Sequence, residues 1–254
     1  MTTFCLNFVK WRVVLLLALI LPLFIASCDD GHVDDPVYVD SSEAYSVQII
    51  GTFSGIDQWN DESYSLVVAA YDDESLYSLI QKSFPLNGDA STVDTITISR
   101  VTTAATSIQV AVADVLRQRV ATIYSYDIPE GQDPSEAIVL NVGALDASPF
   151  GAVDAAVFQG LSCARCHQGD EPPAGLDLTT DNALAHLVGV KSHKEPDETL
   201  VVAGDADNSF LVKVLEQGDD NVHYDHRAFF VEDSRAPLLS LIRSWINSIE
   251  PDEN

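Results

Sequence analysis

Ser107-Ile108-Gln109-Val110-Ala111-Val112-Ala113 is the stretch that decides how the first half of the chain is read. Ile108, Val110 and Val112 alternate with Gln109 and Ala111, the two-residue period of a strand with one buried face. Outward from it, residues 45–53, 64–71, 93–101, 121–126 and 137–142 repeat the theme as short alternating or apolar runs closed by turn residues. Six or seven strands at these spacings predict an antiparallel, sandwich-like all-β domain over 43–147. No helix is convincing there, although 114–119 suits a turn. The region contains no Cys and no His, and its acids fall mainly in turns, so it reads as a binding or spacer module without a catalytic constellation.

At Ser148 the period changes. Ser148-Pro149 pairs a hydroxyl cap with proline at the first helical position. Phe150, Val153, Val157 and Leu161 then recur at helical spacing, while Ala156 and Gly160 leave a notch of small residues. Leu238, Ile242, Trp245 and Ile249 form a second apolar stripe near the end. Two such helices can cross, the notch receiving a bulky ring. The expectation is therefore two domains, the second of them all-α over 148–254.

The other end of the chain reads as an export signal. Lys10 and Arg12 flank the apolar run 13–25, which is too short for a spanning helix of about 20 residues. Ile25-Ala26-Ser27-Cys28 resembles a bacterial lipobox, which implies cleavage after 1–27 and a lipid on Cys28, holding the protein to a membrane of the cell envelope on its periplasmic or outer side. Residues 28–42, with five aspartates and Pro36, have little to bury and suit a solvated tether. The export segment holds two bases and no acid, so the remainder carries 11 Lys+Arg against 39 Asp+Glu, formally −28. That excludes nucleic acid, whose phosphates need a basic footprint. The acids are evenly spread, which serves solubility and, secondarily, the steering of a basic partner.

Cys5 leaves with the signal and Cys28 takes lipid, so only Cys163 and Cys166 remain in the folded body. They belong to Cys163-Ala164-Arg165-Cys166-His167, a CxxCH sequence, the attachment signature of haem c. Positions i, i+3 and i+4 share one face of a helical turn, so two thiols reach the haem vinyl groups while His167 meets the iron from the same side. A thioredoxin-like pair expects a βαβ context, and a structural zinc site needs more ligands at matched spacings.

Around the motif, Gly175-Leu176-Asp177-Leu178, Leu187-Val188-Gly189-Val190, Gly204-Asp205-Ala206-Asp207-Asn208-Ser209 and Trp245-Ile246 follow in order. In this, residues 150–248 resemble the small class I cytochrome c domains of exported bacterial proteins. The resemblance implies an all-α cytochrome c-like fold around one covalent haem, with His167 as proximal ligand. It also implies a pocket in which Pro172 or Pro173 offers a carbonyl to His167 Nδ1 and Leu176 and Leu178 touch the haem, although a rigid loop explains the prolines equally and two leucines in a small domain are core by default. Asp205, Asp207 and Asn208 read as a helix cap before Ser209 in preference to a calcium loop.

The family's distal methionine has no counterpart, since the only methionine is Met1. His223-Tyr224-Asp225-His226 stands in its place, with His223 as the expected distal ligand and His226 as the alternative; His32, His186 and His193 read as surface or structural residues. Two imidazoles would lower the reduction potential relative to a His/Met pair. The function expected is electron transfer outside the cytoplasm by a membrane-anchored mono-haem cytochrome with a redox protein partner. Two alternatives stand: a haem enzyme or ligand sensor with a displaceable distal site, and an envelope binding protein with an accessory cytochrome.

Overall fold

The computed structural model describes residues 44–59, 62–73, 75–84 and 93–251; the export segment expected over 1–27, Cys28 and the tether expected over 28–42 lie outside them. Seven strands follow one another among the described residues: β1 (Ala44–Ser54), β2 (Tyr64–Tyr71), β3 (Ile80–Ser83), β4 (Asp94–Thr102), β5 (Ser107–Asp114), β6 (Arg119–Asp127) and β7 (Ile138–Asp146). They form two sheets, ordered β4-β1-β7 and β3-β2-β5-β6. Val47, Ile49, Ile96, Ile98 and Leu140 from the first sheet share a core with Leu66, Val68, Ile108, Val110 and Val112 from the second. The alternating residues thus face each other across a sandwich.

Two features depart from the expected β domain. β7 pairs with β1 in parallel, so the sheets are not wholly antiparallel. A parallel pair needs a long crossover, here supplied by everything between β1 and β7, and it delivers the chain at Asp146 beside Ser54, where the helical part begins. β5 is also buried on both faces: Gln109 is 7% exposed and Ala111 fully covered. Residues 75–79 run from Ala70, whose carbonyl accepts the Leu79 N–H, to the head of β6, where Leu76 O accepts the Arg119 N–H. In doing so they pass over the outer face of β5, above Val67, Ala69, Tyr71, Ala111 and Ala113.

The remainder is not the all-α domain expected. It holds α1 (Pro149–Val153), α2 (Ala183–Leu187), α3 (Phe210–Glu216) and α4 (Glu232–Ser248), of five, five, seven and 17 residues. Between them lie short 3-10 turns, a π-helical segment over Asp154–Gln159 and irregular backbone. The reason is local chemistry: Pro172, Pro173 and the five glycines Gly169, Gly175, Gly189, Gly204 and Gly218, each of the five at a positive φ, break up the chain between the helices. Helices of five residues do not stand alone and are held by packing.

That packing is shared with the sandwich. One hydrophobic cluster runs without a break from Tyr45 and Val47 through Val153, Val157 and Leu187 to Leu241, Trp245 and Ile246. Ser148 caps α1 as expected, its Oγ accepting the Gly151 N–H at 2.9 Å. Phe150 of α1 meets Trp245 of α4 with ring centroids 5.2 Å apart, so the two apolar stripes do cross. The small-residue notch receives no ring; Ala156 and Gly160 instead line a cleft of about 300 Å³ against β6 and the head of α4. Trp59 Nε1 donates to Ala147 O at 2.7 Å and Tyr64 Oη to Ser240 Oγ at 3.0 Å, tying both sheets' connections to the helical part.

Candidate haem site

The π-helical segment ends at Gln159, and the chain turns through Ser162, whose φ of 64° is left-handed, into the 3-10 turn Cys163–Arg165. The amides of Cys166 and His167 both donate to Cys163 O, at 3.1 and 3.0 Å, and so close the three motif side chains onto one turn. Both cysteines are free thiols, Cys163 half-buried and Cys166 exposed. Cys163 Sγ donates to Val157 O at 3.4 Å. Burial pushes the Cys163 thiol up to about 11, and its neighbour Cys166 adds to the rise. Burial thus disfavours the Cys163 thiolate. Among the described residues no three His, Cys, Asp or Glu side chains converge as a metal-ion site.

His167 follows with its Nδ1 buried and without a hydrogen-bond partner. Burial lowers its pKa, His226 opposite lowers it further, and the nearby Leu176 and Pro173 carbonyls oppose both without closing a hydrogen bond. Of the two prolines expected to serve His167, Pro173 is therefore the one whose carbonyl comes near. The loop is shaped for this: Ala174 and Gly175 both take left-handed φ, 57° and 67°. Leu178 N donates to His167 O at 2.8 Å, pinning the segment after the loop to the motif. Leu178 is buried in the common core and Leu176 packs against it, so neither stands apart as a dedicated ligand contact.

Across from His167 stands His226. The ring centroids are 6.1 Å apart and the planes inclined by 37°. Two imidazoles that share one metal ion, each nitrogen about 2 Å from it, bring their ring centres to roughly 6 Å. His226 is half-buried at the start of the 3-10 turn His226–Phe229, and its Nδ1 lies 2.9 Å from Tyr224 O. Asp225 caps that turn, accepting the Arg227 N–H, and is ion-paired with the Arg227 guanidinium at 2.7 Å. His223 is exposed, its ring 4.6 Å from that of Tyr224. His186 lies on α2, where its Nδ1 accepts the Asp177 N–H.

Sequence patterning passed over Gln159 and Glu195 and read His193 only as a surface or structural residue. Gln159 ties the π segment to the loop beyond the motif, donating to Leu178 O at 3.0 Å and to Asp154 Oδ1 at 2.9 Å. His193 covers Gly175 so closely that a Cβ there would lie 2.5 Å from its Cε1. Two residues on, Glu195 accepts a hydrogen bond from Asn221. The 191–199 loop thus touches the segments that carry both facing histidines.

Residues 163–222 match the family model of Planctomycete cytochrome C. The segment is a cytochrome c-like region, which implies haem c binding and a role in electron transfer. It begins on Cys163 and stops one residue short of His223. No curated protein and no solved structure matches the chain. The residues present fit the cofactor: two thiols and an imidazole on one turn, a buried Nδ1 beside carbonyl oxygens, and a second imidazole opposite.

Proposed function

We propose that the chain is a membrane-anchored cytochrome that carries electrons outside the cytoplasm on a single haem c. Cys163 and Cys166 hold the haem as thioethers, His167 is its proximal ligand and Cys28 bears the lipid. Haem supplies the one-electron couple; the protein's part is to fix its orientation and tune its potential. The observation that carries this reading is the 6.1 Å approach of the His167 and His226 rings. It favours His226 over His223 as distal ligand. Neutral imidazole is the form that binds iron, and burial of His167 lowers its pKa in favour of that form. The Leu176 and Pro173 carbonyls beside its Nδ1 are the acceptors that could orient the ring.

Two histidine ligands leave iron no open position, which supports a carrier in preference to an enzyme or sensor. They also set the potential below that of a His/Met pair. The formal charge of −28 beyond the export segment favours a basic redox partner. Intact mass of the exported protein tests the reading, with one haem and one lipid adduct per chain expected. Cys163→Ala with Cys166→Ala should abolish haem staining on a denaturing gel. Haem that acid acetone extracts from the unmodified protein would refute covalent attachment.

A further inference from the structure

The turn 191–199 bears on both sides of the pair of facing imidazoles without supplying a ligand. Its own bonding makes it stiff. Ser192, 4% exposed, accepts the Lys194 and Glu195 amides on its Oγ at 3.2 and 3.1 Å, and its own N–H donates to Glu198 O at 3.0 Å. Lys191 Nζ closes the turn on Asp197 O at 2.9 Å. At its base Leu200 N donates to Val190 O and Gly189 N to Val201 O, at 2.8 and 2.9 Å.

On one side is the loop whose carbonyls lie beside His167. Three atoms of the His193 ring lie within 3.2 Å of where a Gly175 Cβ would stand, so the ring closes directly on the backbone between Pro173 and Leu176. On the other side is the segment that carries His226. Asn221 Nδ2 donates to Glu195 Oε1, and the Asn221 N–H donates to Asp219 Oδ1 at 2.9 Å. Lys213 of α3 makes a second bridge, 3.2 Å from Asp219 and 3.9 Å from Glu198. Arg227, next to His226, ties that segment back to α3 by donating to Gln217 O at 2.9 Å. The stretch 218–226 is thus held at its ends by α3 and at its middle by the turn 191–199.

We propose that the turn 191–199 is a spacer that sets the separation of the two imidazoles, with His193, Glu195 and Asn221 as positioning residues that govern how readily His226 leaves the iron. This rests on the reading of His226 as distal ligand. Each imidazole nitrogen must stand about 2 Å from the metal, so a small drift of either segment is felt as loss of a ligand. Groups that hold a ligand's segment in place therefore tune the metal's hold on that ligand. Departure of His226 opens the iron to small molecules. The turn thus decides between a closed electron carrier and a site that admits a ligand.

The test follows carbon monoxide binding to the ferrous haem of the full chain by stopped flow, a rate that waits on departure of the distal imidazole. Far-ultraviolet melting is the structural control. Glu195→Ala and His193→Ala are each expected to raise the rate about fivefold, the effect of one lost surface contact of hydrogen-bond strength, with the melting temperature of the wild type. Glu195→Gln keeps an acceptor oxygen for Asn221 and should recover most of the wild-type rate. Adding Asn221→Ala to Glu195→Ala should raise the rate no further. An unchanged rate in either single alanine variant overturns the proposal, since a spacer must bear on both sides. So does a rise that comes with a lower melting temperature, a glutamine variant as fast as the alanine one, or a further rise in the double variant. His226→Ala in the same assay separates the two readings. If it binds carbon monoxide no faster than the wild type, the distal assignment falls and the spacer with it; if it binds faster while Glu195→Ala does not, the spacer alone falls.

Discussion

Replacing Trp245 by alanine removes the largest ring from the region where the sandwich and the helices share their core. The side chain is 3% exposed and packs on Phe150 at 5.2 Å. Truncating a buried aromatic to alanine costs about 3–5 kcal/mol, of which roughly 0.5–1.5 belongs to the ring pair itself. For a folded body of this size a loss of 1 kcal/mol lowers Tm by about 2–4 °C, so a fall of roughly 6–20 °C is expected. The assay is thermal melting followed by far-ultraviolet circular dichroism for the sheets and by Soret absorbance for the haem surroundings. Because one cluster spans Tyr45 to Ile246, both signals should shift together. A sheet signal that melts at its original temperature while the Soret signal moves would show two independent cores and refute the reasoning.

His226→Ala should convert the ferric haem to a high-spin form and open the ferrous haem to carbon monoxide, whereas His223→Ala should leave both spectra intact; the reverse pattern assigns the distal role to His223. Arg243→Ala removes a bidentate pair to Glu216, both side chains about two-thirds or more covered, and should cost about 1–2 kcal/mol at neutral pH. Arg243 holds the Glu216 carboxyl below its ordinary 4.5, so this stability is present above that value and lost as pH falls through the lower folded-state value. Denaturant melts of wild type and variant should therefore converge in acid, and a gap that persists there would contradict the assignment. Gly160→Ala brings a Cβ within 2.5 Å of Ala156 O, a backbone atom that cannot swing aside. A loss of about 1–3 kcal/mol and poorer haem incorporation should follow, measured by melting and haem-to-protein ratio.

Strands with clean alternation were legible because their period is local. β3 was not: Ile80-Gln81-Lys82-Ser83 is four residues long, half-exposed, and patterned by nothing but its partner β2. The parallel pairing of β7 and the cover over β5 depend on contacts remote in sequence, which composition does not record. The helical part was overdrawn because apolar spacing reveals which residues face a core without revealing how many turns connect them. That Cys163, Cys166 and His167 share one turn was legible from their spacing. The two histidines beyond them were not distinguishable that way. Asp225 and Arg227 lock the turn that carries His226, and an Asp cap two residues before an Arg was the available signal.

The Cys163 thiol is half-buried and tied to Val157 O, while Cys166 stands exposed on the same turn. Under the proposed reading, this asymmetry imposes a sequence of events on maturation. Once the body has folded, one sulfur is open to an incoming porphyrin and the other is half-covered and hydrogen-bonded to the π-helical segment. Double attachment therefore belongs to a kinetic window before that segment seats, or to its transient opening afterwards. A chain that folds too soon after export would be trapped with a single thioether, so speed of folding and completeness of assembly work against each other.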